Sequence, residues 1–246
     1  MSRVFFEQGH AGRVGTIAFS ADGSRVATAS QESQDVRVWD ASGQLVDVLD
    51  RGANAVTFAG NALVVARGHQ EIARIQDGRE TWSVEYERRA IAGLPSGEVI
   101  AVGMEDEVVR FGDDGKLRSK VALGDYADEL VVRADGGLAA AWNASSLSLV
   151  RGSKATHLPW KGPDIATVAI HPTDDQVALF EGSFADLRLI VVDAKGKQLK
   201  KLNLSSLLGD QLDAPFGAIF LSPRRVAFFT SAERDQLRII DLEDPK

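Results

Sequence analysis

A run of apolar, largely β-branched residues that leads into an Asp- or Gly-containing turn recurs along this chain at a nearly fixed interval. It reads Val36-Arg37-Val38-Trp39-Asp40, then Ile72-Ala73-Arg74-Ile75-Gln76-Asp77-Gly78, then Val108-Val109-Arg110-Phe111-Gly112-Asp113-Asp114-Gly115. The steps from Trp39 to Ile75 and from Ile75 to Phe111 are 36 residues each. Looser copies at Val150, Val192 and Ile240 follow at steps of 39, 42 and 48 residues. Such a period marks a repeat architecture, in which units that cannot bury a core alone are stacked on their neighbours.

The unit itself is legible in residues 14–49. Four short β-branched runs at 14–20, 25–30, 35–40 and 44–49 are separated by Gly, Asp and Ser turns, which reads as four antiparallel strands, one propeller blade. The second run returns in phase at 62–66, 98–102, 138–142, 176–180 and 225–229, nearly all apolar, as expected of strands covered on both faces. The first run returns at 55–58, 89–92, 130–132, 165–170 and 218–221, with the Ala and Gly expected where blades crowd. Six copies are counted, and only residues 204–212 suggest a turn of helix. The sixth copy ends without a fourth strand, whereas the chain begins with an orphan strand at 3–7. The expected fold is therefore all-β, a six-bladed β-propeller of four-stranded blades in a single domain, residues 1–246, with the N-terminal strand joining the last blade and leaving no open seam.

Composition narrows the function classes. There is no cysteine, which removes disulfide scaffolds, zinc-thiolate sites and thiol nucleophiles and fits a reducing compartment. Net charge is −7, and the basic residues occur as pairs (Arg88-Arg89, Lys200-Lys201, Arg224-Arg225), so a nucleic-acid backbone is not the expected partner. No apolar stretch is long enough to span a bilayer, and the N-terminus lacks a signal-peptide core, so no membrane association and a cytoplasmic location are expected.

Residues 9–40 resemble a WD repeat. Gly9-His10 stands where that family has its Gly-His pair, Phe19-Ser20-Ala21-Asp22-Gly23 resembles its Phe-Ser-Pro-Asp-Gly turn, and Trp39-Asp40 is its Trp-Asp pair. The resemblance implies a buried hydrogen-bonded set of His, Ser or Thr, Asp and Trp that locks the blade. His10, Thr28 and Trp39 match it, but Ser33 occupies the Asp place. Either the set is incomplete or Asp35 takes the role from a shifted loop. Fainter echoes are Ile170-His171-Pro172-Thr173-Asp174, Leu221-Ser222-Pro223, Val192-Asp193 and Ile240-Asp241. For the whole chain the resemblance implies a non-enzymatic scaffold that presents a surface to a protein partner, as a subunit of a complex.

Motifs that carry chemistry follow the same direction. His10, His69, His157 and His171 show no metal-ligand spacing, and no nucleophile elbow, phosphate loop or dinucleotide fingerprint occurs. No catalytic residue, metal or cofactor is expected. The alternative is a six-bladed propeller hydrolase or lactonase with a divalent ion in its channel. Asn54, Glu105, Asn143 and Glu181 are its candidates by position. For the scaffold reading, the loops entering the first strands and those between second and third strands gather His69, Tyr86, Arg88, Arg89, Tyr126, Trp160, Phe184 and Phe216. Aromatics with Arg are the composition of an interaction surface. Trp160, between Pro159 and Lys161-Gly162-Pro163, is the expected exposed anchor, whereas Trp82 and Trp142 fall within strands and are expected in the core.

Overall fold

A computed structural model describes residues 9–30, 32–49, 53–68, 70–182, 186–208, 215, 217–230 and 236–244. The orphan strand at 3–7, and with it the expected closure of the last blade, lies outside the described residues, as do His69, Phe184 and Phe216. Six antiparallel sheets follow one another as propeller blades. Blade 1 is β1 (Val14–Phe19), β2 (Arg25–Ser30), β3 (Asp35–Asp40) and β4 (Leu45–Leu49). Blade 2 is β5 (Ala53–Ala59), β6 (Ala62–Arg67), β7 (Glu71–Gln76) and β8 (Arg79–Glu85). Blade 3 is β9 (Arg88–Gly93), β10 (Val99–Gly103), β11 (Glu107–Phe111) and β12 (Leu117–Ala122). Blade 4 is β13 (Glu129–Val132), β14 (Ala139–Asn143), β15 (Ser146–Arg151) and β16 (Lys154–Pro159). Blade 5 is β17 (Ile165–Ile170), β18 (Gln176–Glu181), β19 (Arg188–Asp193) and β20 (Gln198–Asn203). A single helical turn, α1 (Leu204–Leu208), leads to blade 6, whose described strands are β21 (Gly217–Ser222), β22 (Arg225–Thr230) and β23 (Gln236–Asp241). Every blade has its strands side by side in chain order, so the fold class is the six-bladed β-propeller read from the repeat.

The residues form two compact units, 1–104 with 109–119, and 105–108 with 120–246. In the first, Val36 and Val38 of blade 1 pack on Val56, Phe58, Leu63 and Val65 of blade 2. Behind them, Val64 and Ile72 pack on Val99, Ala101 and Phe111 of blade 3. In the second, Leu147 and Leu149 of blade 4 meet Val177, Leu179 and Ile190 of blade 5. Phe180, Leu189 and Val191 of blade 5 then meet Phe220, Val226 and Phe228 of blade 6. The second strands are buried along their length in β10, β14 and most of β6 and β18, which is why they carry small and β-branched residues instead of alternating polarity. Crowding of the first strands is direct. A Cβ at Gly93 of β9 would overlap the Phe58 carbonyl of β5, so blade 3 approaches blade 2 through a residue that has none.

The Asp that ends the third strand in blades 1 and 5 has a local cause. The Asp40 carboxylate accepts the backbone N–H groups of Ser42 and Gln44, and Asp193 accepts those of Lys195 and Lys197. Each closes its turn with a side-chain acceptor, and Gly43 and Gly196 supply the left-handed φ that follows.

Candidate interaction loops and the residues beneath them

In the second unit, three loops are laced together under Tyr126. The chain between β12 and β13 carries Tyr126, 42% exposed, beside Asp125, Asp128 and Glu129. Desolvation by surrounding protein, and then the charge of Asp128, push the Glu129 carboxyl above the ordinary range. Beneath the tyrosine, the side chain of Asn143 at the β14–β15 turn is 3% exposed. Its Nδ2 donates to the Tyr126 carbonyl at 2.6 Å, and its Oδ1 accepts the backbone N–H groups of Ser145 and Ser146 at 2.7 and 2.8 Å. The same turn accepts two more donors. Trp160 N–H reaches the Ser145 carbonyl and Ile165 N–H reaches the Ala144 carbonyl, which anchors both ends of the loop between β16 and β17. One short turn thus fixes the loop before the first strand of blade 4 and the loop before the first strand of blade 5.

Trp160 itself is half-buried, not free-standing. Its ring packs against the core shared by blades 4 and 5, and its Nε1 donates to Glu181 Oε2 at 2.9 Å. Glu181, at the end of β18, is 1% exposed. Its other oxygen accepts from Arg188 Nη1 at 3.3 Å and faces Lys201 Nζ at 3.6 Å, so the buried charge is matched on both oxygens. The backbone of Gly162 lies over the indole–carboxylate contact, where a Cβ would run into both partners. The loop is therefore held against the end of β18 in blade 5.

In the first unit the two adjacent arginines have opposite fates, because strand neighbours point to opposite faces. Arg88, the first residue of β9, is 1% exposed and gives Nη2 to the Gly68 carbonyl at 2.7 Å. Burial lowers its pKa to about 10, so it still carries its charge at neutral pH, but it offers nothing to the surface. Arg89 is half-buried with Nε 3.3 Å from Met104 Sδ. Tyr86 stands edge-on to Phe111, ring centroids 5.5 Å apart, and packs on the core of blades 2 and 3. Trp142 is in the core as expected, and Trp82 is half-buried against the blade-3 turn, its Nε1 donating to the Asp113 carbonyl at 2.9 Å.

Three of the four residues considered for a channel ion, Asn143, Glu181 and Glu105, are engaged by other groups. Asn143 and Glu181 are committed to the partners just described, two of them cations on Glu181. Glu105 is largely exposed and paired with Lys120 Nζ at 3.0 Å, and the side chain of Asn54 lies outside the described residues. Among the described residues, no three His, Asp or Glu side chains converge as a metal site. The structural roles of Asn143 and Glu181 were missed in the sequence. For Asn143 a signal existed, since an Asn followed by Ala and two Ser at a hairpin turn is an Asx-turn pattern.

The blade-locking set of blade 1 is complete, with Asp35 in the role left open between it and Ser33. His10 Nδ1 is 2.6 Å from Asp35 Oδ1, His10 Nε2 is 2.7 Å from Thr28 Oγ1, and Trp39 Nε1 donates to Thr28 Oγ1 at 3.0 Å. Ser33 Oγ donates to the same Asp35 oxygen, and Arg37 Nε donates to the other at 2.7 Å. Burial alone would raise the Asp35 pKa, but the donors Ser33, Arg37 and His10 overcome it and hold the pKa at about 2.

No curated protein matches the chain. The family model for the WD domain, G-beta repeat, matches residues 2–40, the segment that holds this set. The chain is thus a six-bladed β-propeller whose first repeat is similar to a WD repeat, and whose later blades keep the same strand order among the described residues.

Proposed function

We propose that this chain is a non-enzymatic, cytoplasmic interaction platform that works as a subunit of a protein complex, and that its partner contacts the Tyr126 loop. WD-repeat propellers typically serve as protein-interaction scaffolds, which supports the coarser part of this reading. The observation that carries the finer part is Tyr126. Among the described loop residues named above, it is the exposed aromatic, on a loop fixed from below by Asn143. A rigid, exposed aromatic loses little conformational entropy on binding, which is the property of an interface anchor. Its neighbours Asp125, Asp128 and Glu129 favour a partner surface carrying Lys or Arg. Trp160 acts one step back in this reading, by holding its own loop against blade 5.

Replacing Tyr126 with a photo-crosslinking amino acid should capture the partner in cells, and the adduct should disappear when the partner is depleted. Tyr126→Ala should weaken the isolated complex by about tenfold or more while leaving the melting temperature nearly unchanged. Unchanged affinity for the captured partner would remove Tyr126 from the interface.

A further inference from the structure

The junction between blades 1 and 2 has a socket that the junctions between blades 2 and 3 and between blades 4 and 5 fill. In blade 2, the first pair of the outer hairpin beyond its bulge is Arg74 opposite Trp82, and the indole reaches across to the turn of blade 3. A Cβ on Gly115 of that turn would meet the Trp82 ring at 2.9 Å. Between blades 4 and 5, Leu158 likewise fills the space beside Gly196. In blade 1, the first pair beyond the corresponding bulge is Val38 opposite Asp47. A short carboxylate thus stands where blade 2 has an indole, and a Cβ on Gly78 of the facing turn would meet nothing within 4 Å.

The result is a cleft of about 320 Å³ walled by Val38, Leu49, Phe58, Leu63 and Ile75, with Asp47 and Asp77 beside it. Arg25 lines it as well but is engaged, lying over the Phe58 ring and donating to the Asn61 carbonyl. A smaller cleft of about 180 Å³ continues past Leu49 and Ile75 toward Val36 and Val65, with Arg67 on its wall paired to Glu71 and Glu80, which makes a groove along β4. That strand is the outer edge of its blade. It presents Val46 and Val48, 60% and 40% exposed, and no basic residue, whereas the outer strands of blades 2 to 5 each carry Lys or Arg. Charged residues on an edge discourage strand addition, and β4 has only Asp47.

We propose that this groove binds an extended segment of a protein partner, which lies along β4 and places one aromatic side chain in the socket between flanking basic residues. The occupant's chemistry follows from two features. Trp82 shows which side chain closes the corresponding space, and Asp47 and Asp77 favour Lys or Arg on the same face of the strand as the aromatic. The inference rests on the protein-binding reading but uses a different surface from the Tyr126 loop.

The test is titration of the full chain with the peptide Ac-Lys-Val-Trp-Val-Lys-amide, followed by amide chemical shifts. Saturable binding with shifts centred on Val38, Leu49, Leu63 and Ile75 is expected. Replacing the peptide's Trp by Ala should weaken binding about tenfold or more. Asp47→Trp should close the socket from within the chain, raising the melting temperature and abolishing binding. Asp47→Arg, which needs no repacking, should weaken the Lys peptide and strengthen its Glu counterpart. Absence of saturable binding up to about 1 mM peptide, or equal binding by Asp47→Trp, would overturn the proposal. So would tighter binding after deletion of residues 1–8, which would make the chain's own N-terminus the occupant. Tyr126→Ala should leave this peptide binding unchanged, so failure of the socket and failure of the Tyr126 surface are read separately.

Discussion

His10 and Asp35, 25 residues apart, are joined by a 2.6 Å contact that orders the rest of blade 1. In the Nδ1–H tautomer the ring donates to the carboxylate and Nε2 is left to accept the Thr28 hydroxyl proton, while the Thr28 oxygen accepts the Trp39 indole N–H. Donors and acceptors thus run in one direction from β3, through β2, to the segment entering the blade. Asp35→Ala should cost about 3 kcal/mol, because it strands His10 and Arg37 together. Ser33→Ala should cost about 1 kcal/mol or less, because Asp35 keeps its other two donors. Urea denaturation of the two variants checks the order. If Ser33→Ala were the more damaging, Asp35 would not be the member of the set.

The same carboxylate gives the blade an acid limit. Its folded pKa of about 2 lies below the unfolded value of 3.8, so its stabilisation is complete above that value and is lost as the pH falls from about 4 toward 2. The shift corresponds to roughly 2 kcal/mol at neutral pH. Asp22 and Asp40 are also depressed, but they are present in both wild type and Asp35→Ala. The difference in stability between the two proteins should therefore shrink as the pH drops through this window. A difference that stays constant down to pH 2 would show that Asp35 is not held ionised by its neighbours.

The blade plan was legible because strands buried on both faces, Asp-closed turns and a 36-residue step are all local properties. Depth was less legible. Arg88 and Arg89 look alike in sequence, and only the start of β9 at Arg88 decides which of them turns inward. Trp160 sits between prolines, which correctly announces a loop, but its carboxylate partner is 21 residues away on another blade. Asn143 and Glu181 have the residue types of metal ligands, but Asn143 is committed to its own turn and to the Tyr126 carbonyl, and Glu181 to Trp160, Arg188 and Lys201. For Trp160 and Glu181 the physical reason is pairing between residues far apart in the chain.

Arg88 and Arg89 can be separated by experiment. Arg88→Ala should cost about 3 kcal/mol, since it leaves the Gly68 carbonyl without this donor and opens space in the core. Arg88→Met restores volume but not the donor, and should recover part of the loss. Arg89→Ala should change stability by about 0.5 kcal/mol or less. Thermal melts of the three proteins test this, and equal losses for Arg88→Ala and Arg89→Ala would contradict the burial pattern.

Trp160 offers the clearest division between holding a loop and binding a partner. Its ring covers the blade 4–5 core and its N–H answers one oxygen of a carboxylate that is 1% exposed. Trp160→Phe keeps most of the ring and removes only the donor. Glu181 retains Arg188 and Lys201, so the expected cost is about 1.5 kcal/mol. Trp160→Ala also removes the packing and should cost about 3 kcal/mol. Both losses should appear in thermal melts of the isolated protein, before any partner is added. Glu181→Gln sharpens the assignment. An amide oxygen still accepts from Trp160, but the charge that holds Arg188 and Lys201 is gone, so Trp160→Phe should cost less in that background than in wild type. A double-mutant cycle with no coupling between the two positions would break the link, and the Trp160 ring would then be free to act as the exposed anchor expected from its sequence.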